Sequence, residues 1–200
     1  MYRVGLGIRL TSPTGGWCYP SVDCDETSAM QIFICPGIHS PTLTTQFVTA
    51  LGLSQQEVLI FPADQPVYSP QHVLDFFEPQ APVVMIAFSA GVVGAIAATR
   101  TWYDRNIPIS ALIAIDGWGV PLFGDFPIYR VSHDQFTHWS SKLLGGGESF
   151  YADPAVDHLT MWHSPHLVRG YVDFSNRTPN RVTTAATFIL EKAGITQFQS

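Results

Sequence analysis

The sequence predicts an α/β chain, with a mostly parallel central sheet and helices on both of its faces. Two observations carry this. From Gln31 onward, short apolar runs alternate with longer segments of helical spacing, as successive strand–helix–strand units do. The runs are nearly continuous in apolar residues, as expected of strands covered on both faces. A third observation sets the scale: 200 residues, 46% of them hydrophobic and 13% charged, suit one domain with a sizeable core.

Each element has a local reason. Tyr2 to Leu10 reads as a first strand, Thr11 to Gly16 as a turn cluster, and Trp17 to Tyr19 as a short returning strand. Asp23-Cys24-Asp25-Glu26 reads as a solvated corner. Gln31 to Cys35 is an apolar strand stopped by Pro36-Gly37. Thr42 to Leu51 places Leu43, Phe47, Ala50 and Leu51 on one helical face, and Gly52 ends it. Glu57 to Phe61 is a strand closed by Pro62. Ser69-Pro70 supplies an N-cap and a proline at the first helical position, and that helix runs to Phe77 before Pro79. Val83 to Phe88, bounded by Pro82, reads as a fully buried strand, and Ala90 to Arg100 as a helix that follows it at once. Ile109 to Ile115 is a buried strand ending in Asp116. Pro127 to Val131 is a shorter one ending in Ser132-His133-Asp134. Phe136 to Leu144 is expected to be helical up to Gly145-Gly146-Gly147. Ser149 to Ala152 is expected to be the last strand, leading through Asp153 and Asp157 to His158. Ser164-Pro165 is expected to cap a short helix over His166 to Phe174. Thr178-Pro179 is expected to cap a final helix ending near Ala193-Gly194.

Composition narrows the partners. A formal charge of −6 argues against nucleic acid or an anionic membrane surface. The apolar run from Val83 to Ala98 is broken by Ser89, Gly91 and Gly94 and is too short for a membrane span. The N-terminal apolar run is too short for a signal peptide. Cys18, Cys24 and Cys35 form neither a disulfide framework nor a zinc-site spacing. Thiols in a reducing cytosol account for them, so the expected location is cytoplasmic. The sequence carries no signal for an oligomeric state.

In mostly parallel sheets, sites lie beyond the carboxyl ends of the strands. Pro36 to His39, Ser89, Asp116, Asp134 and His158 all fall at such ends. Ser89 sits in Ala87-Phe88-Ser89-Ala90-Gly91, where a strand turns straight into a helix. Small residues two positions either side allow a sharp turn, the hydroxyl projects from the sheet, and the Ala90 N–H points into an oxyanion site. A serine hydroxyl is a poor nucleophile until a base removes its proton, and that base is usually a histidine oriented by a carboxylate. The chain offers Ser89, then Asp116 and Asp134, then His158, in that order.

The pentapeptide and this order resemble the α/β-hydrolases, with Ala87 in place of the first glycine of G-x-S-x-G. The stretch Asp157-His158-Leu159-Thr160-Met161-Trp162-His163-Ser164-Pro165-His166 resembles the histidine motif of the thioesterases of polyketide and non-ribosomal peptide synthases. The resemblance covers roughly Gln31 to Gly194. It implies a compact α/β-hydrolase fold, from which the chain departs in its shortness: between Asp116 and the strand before His158 there is no room for a large lid domain. It implies a second oxyanion donor in the turn after Gln31–Cys35, the backbone N–H of Ile38. The family more often has His-Gly where this chain has Pro36-Gly37. The thioesterases carry their acid at the strand end occupied here by Asp116, and most other α/β-hydrolases one strand later, where Asp134 stands. Asp116 is the first candidate and Asp134 the second.

The expected activity is hydrolysis of a small-molecule acyl ester or thioester through an acyl-serine intermediate, with no cofactor and no metal. A catalytically silent α/β-hydrolase fold that binds a small ligand or partner is the rival. A metal hydrolase is disfavoured by spacing: His133 and His138, like His158 and His163, are five apart and lie on different helix faces, and no H-E-x-x-H occurs. Trp118, Phe136, Trp139 and Trp162 suit either core and lid packing or an aromatic wall for an acyl chain.

Overall fold

The computed structural model describes residues 30–174 and 181–195. Eight strands form one sheet among them: β1 (Gln31–Cys35), β2 (Val58–Ile60), β3 (Val83–Phe88), β4 (Ile109–Ile115), β5 (Ile128–Ser132), β6 (Ser149–Ala152), β7 (Arg169–Asp173) and β8 (Arg181–Thr184). Six helices accompany them: α1 (Pro41–Ala50), α2 (Pro70–Phe76), α3 (Gly91–Asp104), α4 (Gln135–Lys142), α5 (His158–His163) and α6 (Ala185–Lys192). The sheet order is β2-β1-β3-β4-β5-β6-β7-β8. Strands β1 to β6 are parallel, and β7 and β8 pair antiparallel at one end. The α/β class with a mostly parallel sheet is therefore as expected.

Strand pleating divides the core in two. Val84, Ile86 and Phe88 of β3 pack with Phe47 of α1, Trp162 of α5 and Phe188 of α6. Val83, Met85 and Ala87 of the same strand pack with Val73 of α2 and with Val92, Ala95 and Trp102 of α3. All six β3 residues are buried, the signature of a central parallel strand. Because β1 lies between β2 and β3, the connection through α1 covers one face and that through α2 the other. The segments leaving β1 and β3 thus diverge at a topological switch point, where such sheets hold their ligands.

The switch point is closely packed. A Cβ on Gly91, the first residue of α3, would lie 2.4 Å from the Pro36 carbonyl oxygen and 2.5 Å from that of Cys35. A helix can begin this close to the end of β1 only if the residue there lacks a side chain. Gly91→Ala is therefore expected to destabilise the protein by about 1–3 kcal/mol, despite the better helix propensity of alanine. Urea unfolding of the two proteins checks it, and equal midpoints would contradict it. Cys35 is fully buried here, and burial pushes its thiol pKa far up, so it is a core residue.

Two expectations are corrected. His166 to Phe174 is not a helix: Ser164 to Val168 turns, and Arg169–Asp173 is β7, paired with β6. Its burial alternates, with Gly170 and Val172 inside, a period of two that outweighs the capping signal of Ser164-Pro165. Ser149–Ala152 is accordingly not the last strand. The final helix starts at Ala185, capped by the Thr184 hydroxyl accepting from the Thr187 N–H at 3.2 Å. The β-branched run before it, Arg181–Thr184, is β8. Thr178-Pro179, the strands expected over Tyr2 to Leu10 and Trp17 to Tyr19, Cys18, and the corner containing Cys24 lie outside the described residues.

Candidate active site

Ser89 leaves β3 with its N–H donated to the Ile115 carbonyl at 2.9 Å. Its φ is 52°, left-handed backbone that costs a non-glycine residue about 1–2 kcal/mol. That conformation turns the chain from strand to helix within one residue and leaves Ser89 and Ala90 facing a cavity of about 350 Å³. The Ala90 N–H, at the N-cap of α3, has no hydrogen-bond partner among the described residues and belongs to the unsatisfied first turn of a helix. Ile38 follows Gly37 in the turn after β1. A Cβ on Gly37 would lie 3.0 Å from the Ser89 Cβ, so that backbone abuts the serine, while the Ile38 side chain is exposed.

Asp116, at the end of the neighbouring strand, is also left-handed, with φ 50°. Its N–H is donated to the Val131 carbonyl at 2.8 Å, which fixes the residue at the β4–β5 edge. Oδ1 accepts from the His133 N–H at 2.8 Å, and Oδ2 lies 2.9 Å from Nδ1 of His158. Burial by itself would raise the Asp116 pKa, but hydrogen bonding from His133 and His158 and the charge of His133 outweigh it and hold the carboxyl below its ordinary value. Asp134 is placed differently: it caps α4, its Oδ1 accepting from the Thr137 N–H at 2.6 Å.

His158 is the first residue of α5, and three buried rings hold its plane. His158 stacks on Phe88 at 4.5 Å between centroids, Phe88 on Trp162 at 4.7 Å, and Trp162 on Phe47 at 3.7 Å. The residue immediately before Ser89 thus orients the imidazole expected to serve it. Ser89, Asp116 and His158 line one cavity. No hydrogen bond joins the Ser89 hydroxyl to His158 among the described residues; such links commonly tighten only when substrate binds.

Three residues outside the expected triad and oxyanion donors complete the site. His133 lines the same cavity. Its Nδ1 lies 3.0 Å from Asp116 Oδ2 without the alignment of a hydrogen bond, and its Nε2 lies 3.5 Å from Asp134 Oδ2. The Asp116 carboxylate beside it, aided by Asp134 and Asp157, raises its pKa against the opposing effect of burial. Arg130 is a buried cation that donates to the carbonyls of Gly145 at 2.7 Å, Val120 at 2.9 Å and Leu144 at 3.0 Å. It thereby ties the loop after Asp116, which lines the cavity through Trp118 and Val120, to β5. Burial lowers its pKa to about 10, still charged at neutral pH. Phe88 is the third, concealed in the sequence as one more apolar strand residue.

The other expected residues separate. His138 packs on Tyr151 with its Nε2 3.1 Å from Asp173, and His163 Nδ1 meets the Ser164 hydroxyl at 2.7 Å. Trp162 is core, whereas Trp118, Phe136 and Trp139 are each about two-thirds exposed; Trp118 Nε1 donates to Ser140 Oγ at 3.1 Å. Among the described residues, the cluster with metal-ligating donors is Asp116, His133 and His158; His138 and His163 lie outside it.

The Asp116–His133 contact sets a pH dependence. His133 has a raised pKa, so its contribution to stability is complete below the unfolded value of about 6.5. It fades as pH rises through the higher folded value. Asp116, with its pKa lowered, stays ionised throughout that window. With chelator present, His133→Gln is expected to lower the urea midpoint more at about pH 5.5 than at about pH 8.5. An equal loss at both would mean that the pair contributes no charge interaction.

No family model matches the sequence, and a comparison with curated proteins finds no match.

Proposed function

We propose that the chain is a serine hydrolase of α/β-hydrolase type that cleaves an ester or thioester through an acyl-Ser89 intermediate. The observation that carries this is the 2.9 Å approach of Asp116 Oδ2 to His158 Nδ1 in the cavity that Ser89 also lines. The carboxylate accepts from Nδ1–H, which leaves Nε2 with its lone pair free to take a proton. Ser89 Oγ attacks the substrate carbonyl as Nε2 of His158 accepts its proton. The tetrahedral oxygen takes hydrogen bonds from the N–H groups of Ala90 and Ile38, at the positive end of α3. His158 then returns the proton to the leaving group, and water repeats the sequence on the acyl-enzyme. Asp116 stabilises the imidazolium that forms in each half-reaction. The expected acid is thus Asp116, with Asp134 serving α4.

The cavity walls include Val93, Trp118 and Val120, and its size of about 350 Å³ is near the lower end for small-molecule sites. A compact apolar acyl or alkyl group suits it. The test is labelling by a fluorophosphonate probe. Covalent modification at Ser89, abolished by Ser89→Ala, supports the reading; an unlabelled, folded protein would favour the silent ligand-binding rival.

A further inference from the structure

His133 is not needed for the proposed chemistry, yet it shares the catalytic carboxylate. Asp116, His133 and His158 each direct a donor atom into a space where all three lie within 4.8 Å of one another. Oδ2 of Asp116 is 3.0 Å from Nδ1 of His133 and 2.9 Å from Nδ1 of His158. A tetrahedral zinc ion with bonds of about 2.0–2.1 Å holds its ligands roughly 3.3 Å apart, so modest ring rotations would bring these atoms to that spacing. His133 Nδ1 is buried, close to the carboxylate and without an aligned hydrogen bond to it, so once it gives up its proton it is available to another partner. His158 is held by stacking on one face only and is about two-fifths exposed, which leaves it room to turn. Two imidazoles and one carboxylate form a donor set suited to a borderline divalent cation such as zinc.

We propose that this cluster binds one Zn²⁺ per chain and that occupation switches the enzyme off. The binding stands on the cluster itself; the switching rests on the serine-hydrolase reading. Coordination at Nδ1 requires that nitrogen to give up its proton. The neutral His158 ring then carries a proton on Nε2 instead, so Nε2–H donates where it must accept from Ser89. The ring's proton count is unchanged; only its tautomer moves. Asp116 is drawn into the metal's coordination and no longer orients the base. A protonated His133 releases its proton to solvent on binding.

Zinc is titrated into the full chain against a chromophoric chelator, for wild type, Ser89→Ala and His133→Gln, with circular dichroism confirming that each is folded. The expected result is one tight site in wild type and Ser89→Ala, weakened by about 10²-fold or more in His133→Gln, since loss of a direct ligand exceeds the 10–100-fold cost of an outer-shell change. Nitrogen-15 spectra of the wild-type histidines are expected to show the His158 proton moving from Nδ1 to Nε2 with zinc. Hydrolysis of a p-nitrophenyl ester should fall as zinc is added and recover with EDTA. Absence of tight binding, or binding indifferent to both His133→Gln and the His158 tautomer, overturns the site. Stoichiometric binding with hydrolysis unchanged overturns the switch, and hydrolysis that appears only with zinc overturns both the switch and the serine mechanism. If Ser89 takes no probe and no ester is cleaved, while zinc still binds through His133, the site is supported and the hydrolase reading alone fails.

Discussion

Ser89→Ala is expected to lower ester or thioester hydrolysis by about 10⁴-fold or more, with the unfolding midpoint unchanged. Removing a triad nucleophile costs this much because the base and carboxylate have nothing left to activate, and the residual rate comes from binding and oxyanion contacts. Stability is spared because alanine occupies the same left-handed backbone at φ 52° with a similar strain. Ser89→Gly should abolish activity equally but raise stability by about 1 kcal/mol, because glycine adopts that backbone without a Cβ penalty. The strain would then belong to the serine's placement. Steady-state turnover and urea unfolding check both variants. Turnover above a tenth of wild type in Ser89→Ala would remove the nucleophile assignment.

Asp116→Asn is expected to cost on the order of 10⁴-fold in kcat, and Asp134→Asn less than about tenfold. Asparagine retains the shape of Asp116 and tolerates positive φ, here 50°, so the fold should persist. Its amide, however, offers His158 Nδ1 a donor or a neutral acceptor in place of the anion, and the ring loses the tautomer that accepts from Ser89. Asparagine caps a helix as well as aspartate does, so Asp134→Asn should leave α4 in place. Asp134→Ala, lacking an acceptor for the Thr137 N–H, should lose about 1 kcal/mol of stability with little effect on turnover. Comparable losses from Asp116→Asn and Asp134→Asn would mean that the 2.9 Å contact to His158 does not carry the orientation of the base.

Much of this arrangement was legible in the chain because strand ends are encoded locally. Gln31–Cys35, Val83–Phe88, Ile109–Ile115 and Ser149–Ala152 are dense apolar runs bounded by proline, glycine or a polar cluster, and each is a strand with those bounds. Since β1 to β6 run parallel, residues at their carboxyl ends come to one edge, which brings Ser89, Asp116 and His158 to one cavity. The errors at β7 and β8 arose where a local capping signal competed with pairing to a strand formed elsewhere. An antiparallel partner is not written in the segment that uses it.

The sequence by itself determined the α/β class, the strand–serine–helix turn and a small set of carboxylates beside a histidine. Tertiary structure alone brought Asp116 to His158, 42 positions further along the chain, and put Asp134 at the N-cap of α4; both follow a strand, and only their placement in the fold separates them. It also decided that His133 shares that carboxylate, and that Arg130 satisfies its buried charge with three carbonyls. The column from Phe47 through Trp162 and Phe88 that sets the plane of His158 was decided in the same way. Each depends on contacts between elements distant in the chain, where periodicity and turn chemistry, which act over a few residues, carry no information.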